Sequence, residues 1–157
     1  MLQPLALIFK LNNTMVARSL EGLSDEEVWR RLAESGNPMA WLVGHLTEAR
    51  AGMLSVMGTP FDCGWGRVFQ RGSAVQDRAG YPTRAVIEAA WKSTHAAMRD
   101  AFANVSPEQL AAPITRPPVP GVETLLDLIA FCGFHESYHV GQMGFIRKQL
   151  GHSSVAG

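Results

Sequence analysis

At 157 residues the chain is long enough for one domain around a single core and too short for two ordinary ones. Its 14 Lys plus Arg offset 14 Asp plus Glu without any local basic cluster, so no nucleic acid and no membrane surface is expected as a partner. Cys63 and Cys132 cannot make a secreted-type disulfide framework, the apolar stretch Leu5 to Phe9 lacks the flanks of a signal peptide, and no run is long enough to span a bilayer; a cytoplasmic protein is expected.

The first predicted helix covers roughly residues 2–20, with Leu5, Ile8, Phe9, Met15, Val16 and Leu20 at helical spacing. Ser24 followed by Glu27 is a capping-box pattern that opens a short turn carrying Val28, Trp29 and Leu32. The second long helix is expected to be capped by Asn37, with Pro38 at its first position, and to end at Gly58. Its inward stripe reads Leu42, His45, Leu46, Ala49, Gly52, Met53 and Val56, which puts His45 in the core.

Residues 58–81 hold five glycines and a proline among Phe61, Trp65, Phe69 and Tyr81, and show no periodic element. A connection this long with such aromatics is expected to pack over something, as a lid or a dimer contact. Thr83 should cap the third helix, with the stripe Ile87, Trp91, Thr94, Met98, Ala101 and Val105. Ser106-Pro107-Glu108 opens another short turn, and the prolines from Pro113 to Pro120 forbid helix until about Val122. The fourth helix, roughly 122–150, presents Leu125, Ile129, Cys132, His135, His139, Gln142, Ile146 and Leu150 on one face and stops at Gly151. No segment alternates with period two. The fold class is all-α, a four-helix bundle with a long loop between helices two and three, over a single domain 1–157.

His135-Glu136-Ser137-Tyr138-His139 reads as HExxH, the metallopeptidase pattern of two ligands and a general-base glutamate. That reading needs a third ligand downstream. No acidic residue follows Glu136, and Gln142 and Phe145 stand where a Gly and a third His would belong, leaving only His152 in the tail. The better source is upstream. Histidines four apart share a helix face, and His45 joins them as a third ligand if the helices face one another. Three histidines on core stripes need a common explanation, because a buried, unpartnered imidazole is costly. Nitrogen-only ligation suits zinc or nickel first, with iron, manganese or copper as further possibilities.

Here the chain resembles the DinB/YfiT-like metalloprotein superfamily. The resemblance rests on Asn37-Pro-Met-Ala-Trp-Leu-Val-Gly-His45-Leu together with His135-Glu-Ser-Tyr-His139-Val-Gly-Gln142, and on Tyr81-Pro82-Thr83 after a long loop. It implies a four-helix bundle of unusual connectivity, a divalent metal held by His45, His135 and His139, and a homodimer. Relatives include bacillithiol S-transferases and a mycothiol-dependent maleylpyruvate isomerase, so the resemblance implies a thiol-dependent transferase or isomerase-like enzyme acting on a small electrophile. The alternatives are a hydrolase using metal-bound hydroxide and a non-enzymatic protein whose metal ties helices two and four together.

Around the three histidines, Gln142 and Glu48 are the catalytic or ligand-orienting candidates, each also readable as an ordinary polar position. Glu136 is expected in an edge or inter-helix salt bridge, His95 on the flank of helix three, and Cys132 as a buried core thiol. Asn12 and Asn13 are placed as cavity-lining candidates, and Phe61, Trp65 and Arg67 as parts of a lid.

Overall fold

Local chemistry sets most of the helix boundaries. In the computed structural model, which describes residues 2–33, 36–73 and 78–155, the α-helices are α1 (Gln3–Leu20), α2 (Asp25–Trp29), α3 (Met39–Val56), α4 (Arg84–Asn104), α5 (Pro107–Ala111) and α6 (Leu125–Gln149). Ser24 and Ser106 open α2 and α5 with reciprocal capping boxes through Glu27 and Gln109. Thr83 caps α4 by accepting from the Val86 N–H. Gly58 and Gly151, at φ +79° and +87°, end α3 and α6; the Thr59 and His152 N–H groups reach back to the Leu54 and Arg147 carbonyls, as in Schellman ends.

Two starts differ from the sequence reading. Pro38 is not the first helical residue of α3: its ψ of 160° leaves it extended, and the helix begins at Met39. The fourth helix begins at Leu125 because Thr124 and Asp127 form a third capping box there.

Contacts along the bundle fix the helix directions. Asn12 of α1 meets Gly133 of α6, and further along Ser19 meets Arg147, so α1 and α6 run parallel. Arg84 donates to the Leu20 carbonyl while Phe9 packs on Phe102, so α4 opposes α1. Cross-links run between α6 and α3 at residues 45 and 135 and at residues 50 and 136, and α3 also packs along α4. Arg50 of α3 lies over Trp91 of α4, and Met57 lines a pocket with Ala97 and Ala101, so these two helices run parallel. A parallel pair consecutive in the chain cannot be joined by a tight turn. The connection from the end of α3 must travel back the length of the bundle, which is why it is long and aromatic.

The core is two clusters. One gathers Val16, Leu46, Phe69, Ile87 and Met143 at the end where α3 and α4 begin; the other gathers Phe9, Leu54, Met98, Leu125 and Ile129 at the opposite end. The α4 stripe from Ile87 to Ala101 is buried as read. The α3 stripe is buried at Leu42, Leu46 and Met53 but not throughout: Val56 is 52% exposed, while Val43, Thr47, Arg50 and Leu54 are buried as well, because α3 is covered by α4, α6 and the crossover together. On α6 the stripe is right as far as Cys132 and then shifts by one residue. Glu136, Val140, Met143 and Arg147 occupy the interior, and His135, His139 and Gln142 stand half-buried at its edge. His45 is likewise half-buried, not a core residue. No helix among the described residues is long and apolar enough to cross a membrane.

Candidate metal centre

His45 projects from the middle of α3 toward the first turns of the second half of α6, where His135 and His139 stand four residues apart. Their nitrogens converge: His45 Nε2 and His139 Nε2 each lie 3.1 Å from His135 Nε2, and one ligand atom from each residue falls within 4.8 Å of the others. Nitrogens bound to one tetrahedral ion at about 2.05 Å are roughly 3.3 Å apart, so the spacing fits a shared cation.

Two of the rings are oriented by the bonds of their other nitrogen. His45 Nδ1–H donates to the Phe69 carbonyl at 2.8 Å, and His139 Nδ1–H donates to Gln142 Oε1 at 2.6 Å. These bonds fix the tautomers, leaving Nε2 of both rings as a bare lone pair. His135 Nε2 carries at most one hydrogen and can serve only one of its two neighbours. Lone pairs are therefore turned on one another, an arrangement that a divalent cation would relieve. Trp41 stacks on His45 and Phe131 on His135, with rings 12° and 14° from parallel. Burial holds all three imidazoles below their ordinary pKa, His135 most, at about 4, where the charges of His139 and His45 add to it. At neutral pH they are in the unprotonated form that ligates metal.

The crossover loop meets the site at one residue. Phe69 is fully buried, its carbonyl takes His45 Nδ1–H, and its N–H donates to Glu48 Oε1 at 3.0 Å. Glu48 also accepts from Trp65 Nε1 at 3.1 Å. Glu48 thus anchors the loop and does not touch an imidazole; burial raises its carboxyl, opposed by the Phe69 and Trp65 donors. The Phe69 ring lies where a Cβ on Gly44 would be, 2.6 Å away, so the motif Gly44-His45 needs its glycine for the loop to seat. A small pocket lined by His45, Glu48, Ala49, Gln70 and Arg71 opens beside it.

The remaining sequence candidates divide clearly. Gln142 orients His139 and donates to the Tyr138 hydroxyl. Glu136 forms the inter-helix salt bridge, not at an edge but fully buried: Arg50 Nε and Nη2 reach its two oxygens at 2.6 and 3.0 Å, with the guanidinium 3.4 Å from the centre of the Trp91 ring. A carboxylate held this way is no general base, and His152 pairs with Glu27 at 2.8 Å, so both missing parts of a peptidase stay missing. Asn12 is buried against Gly133 and Ser137, behind the histidines and not in a cavity with them, because parallel α1 faces the opposite flank of α6. Asn13 lines a separate surface pocket with Trp91 and Arg84. Cys132 is a buried thiol pushed up to about 12 by burial. His95 lines a cleft between α1 and α4. Phe61 lines a pocket with Met57 and Ala101 at the other end of α3, whereas Trp65 donates to Glu48 and the charge of the exposed Arg67 acts on the same carboxyl.

The parts that Phe69, Gly44, Trp41 and Arg50 play around the histidines are not given by the sequence reading. A backbone carbonyl leaves no side-chain signal, but a glycine directly before His45, inside an otherwise apolar helix, could have pointed to a close approach.

The sequence pattern of the DinB superfamily matches residues 9–143, a span that runs from α1 into α6 and includes all three histidines. The chain belongs to the DinB superfamily. No curated protein matches it. Membership and the three-histidine cluster together make the chain compatible with binding a divalent metal.

Proposed function

We propose that this DinB-superfamily protein is a divalent-metal-dependent enzyme with His45, His135 and His139 as ligands, transferring a low-molecular-weight thiol to a small electrophile or using it to isomerise one. The convergence of three neutral imidazole nitrogens, two with their tautomers already set, carries the reading. Three protein ligands are the catalytic pattern, since structural sites close with four. A divalent ion there would supply a Lewis-acid position that favours the thiolate over the thiol.

The protein's own residues do the rest. Phe69 and Gln142 hold the two outer rings in place, Trp41 and Phe131 wall the cluster, and its half-buried position leaves one side open to small molecules. Beside Gln142, an apolar groove lined by Leu42, Tyr138, Phe145 and Ile146 offers room for the hydrocarbon part of a substrate. A homodimer belongs to the same reading, and the exposed Phe134 and Phe145 of α6 are the apolar surface it would cover.

The test is turnover of a chromogenic aryl halide by zinc- or nickel-loaded protein with a panel of thiols: cysteine, glutathione, bacillithiol and mycothiol. The expected result is saturable dependence on one thiol, lost in His139→Ala. Thiol-independent cleavage of esters by the same metal-loaded protein, with no thiol accepted, would replace transferase with hydrolase. Metal binding with a large rise in melting temperature and no turnover of either kind would leave a structural ion.

A further inference from the structure

Across the bundle from the histidines, α1 and α4 touch only sparingly, and they part around a cleft of about 630 Å³. That volume lies in the range of small-molecule sites, about 300–1,000 Å³. Its walls are Ala6 and Phe9 on α1 with Met98 and Phe102 on α4. Lys10, His95 and Arg99 also line it, and no acidic residue does among the described residues. Because the two helices are antiparallel, Lys10 lies at the His95 end, with Arg99 one turn further along α4.

Lys10 and Arg99 are exposed at the cleft, and Gln3 is its other polar lining residue. Lys10 and Arg99 form no ion pair among the described residues. His95 Nδ1 is buried without a hydrogen-bond partner. Burial, then the charges of Arg50 and Arg99, keep that imidazole below its ordinary pKa, so it is a neutral hydrogen-bonding group and not a third cation. A purely apolar guest would leave these groups unserved, and a bare inorganic anion would leave the apolar walls wet.

We propose that the α1–α4 cleft binds a small amphipathic carboxylate, its hydrocarbon part against Ala6, Phe9, Met98 and Phe102 and its head at Lys10, Arg99 and His95. The site is separate from the imidazole cluster and does not depend on the enzymatic reading.

Calorimetric titration of the full-length, metal-loaded protein with octanoate and, separately, octanol tests it. Octanoate should bind saturably with one site per chain, and octanol at least about tenfold more weakly. Lys10→Met/Arg99→Met, both on the surface, should weaken octanoate by roughly tenfold or more and leave octanol unchanged. The cleft-filling Ala6→Phe, checked for helicity by circular dichroism, should abolish both. His139→Ala should change neither. Absence of saturable octanoate binding, equal affinity for the two probes, or octanoate binding lost with His139→Ala would overturn the proposal, the last by moving the carboxylate to the histidines.

Discussion

Gly44 and Gln142 act on the imidazoles through the ring orientations they allow. A methyl group at 44 collides with the Phe69 ring at 2.6 Å, so Gly44→Ala must displace the loop residue whose carbonyl orients His45. The expected cost is about 1–3 kcal/mol in urea unfolding, accompanied by weaker metal binding. Gln142→Ala removes the partner of His139 Nδ1 from a half-buried position. Metal affinity is expected to fall about 10–100-fold with little change in unfolding midpoint, which separates orientation from stability. Glu136 is the opposite case. Glu136→Gln leaves Arg50 buried without its charge partner and should destabilise by roughly 3–5 kcal/mol, whereas Arg50→Met/Glu136→Leu should recover much of the loss. Denaturation of the wild type and these two variants side by side checks this. At this scale the convergence of His45, His135 and His139 and the salt-bridge character of Glu136 were legible from i, i+4 spacing and the absence of a downstream ligand. The depth of Glu136 was not, because a charge in a core position is visible only through its partner, and Arg50 lies 86 residues away.

Among the elements, the crossover from α3 to α4 is the one that decides how the site is built. Its length follows from the parallel run of those helices, and Phe69 is the point where it locks. Were it a mobile lid, the Phe69 amide would exchange freely; bonded to Glu48, it is expected to be protected with or without metal and thiol, as read by hydrogen exchange. The four long helices and the α4 stripe could be read from periodicity, and the caps at Ser24, Thr83 and Ser106 from residue type. The start of α6 was misplaced because the pattern Thr124-x-x-Asp127 was overlooked; Thr124→Ala should cost about 0.5–2 kcal/mol. The α6 face went wrong beyond Cys132 for a geometric reason. A helix of 3.6 residues per turn drifts against any fixed set of neighbours, so a stripe drawn through both histidines leaves the interior while Glu136 and Val140 enter it.

The whole molecule places its histidines on the α3–α6 seam and its loosest packing on the opposite seam, between α1 and α4. Its buried thiol gives a pH dependence with a definite sign. Burial, and next the charge of Glu136, pushes Cys132 up to about 12, so the fold favours the protonated thiol. The resulting stability is complete below the ordinary thiol pKa of about 8.5 and is lost as pH rises from there toward 12. Urea midpoints taken from pH 8 to pH 10.5 should therefore fall more steeply for the wild type than for Cys132→Ala. The convergence of imidazoles from two helices is tested most directly by X-ray absorption at the metal edge, on protein loaded with zinc after purification without a polyhistidine tag. One ion per chain with three imidazole nitrogens at about 2.0–2.1 Å, lost in both His45→Ala and His139→Ala, is the expected result. Zinc retained in His45→Ala with an unchanged nitrogen shell, or no zinc bound by the wild type, would contradict it.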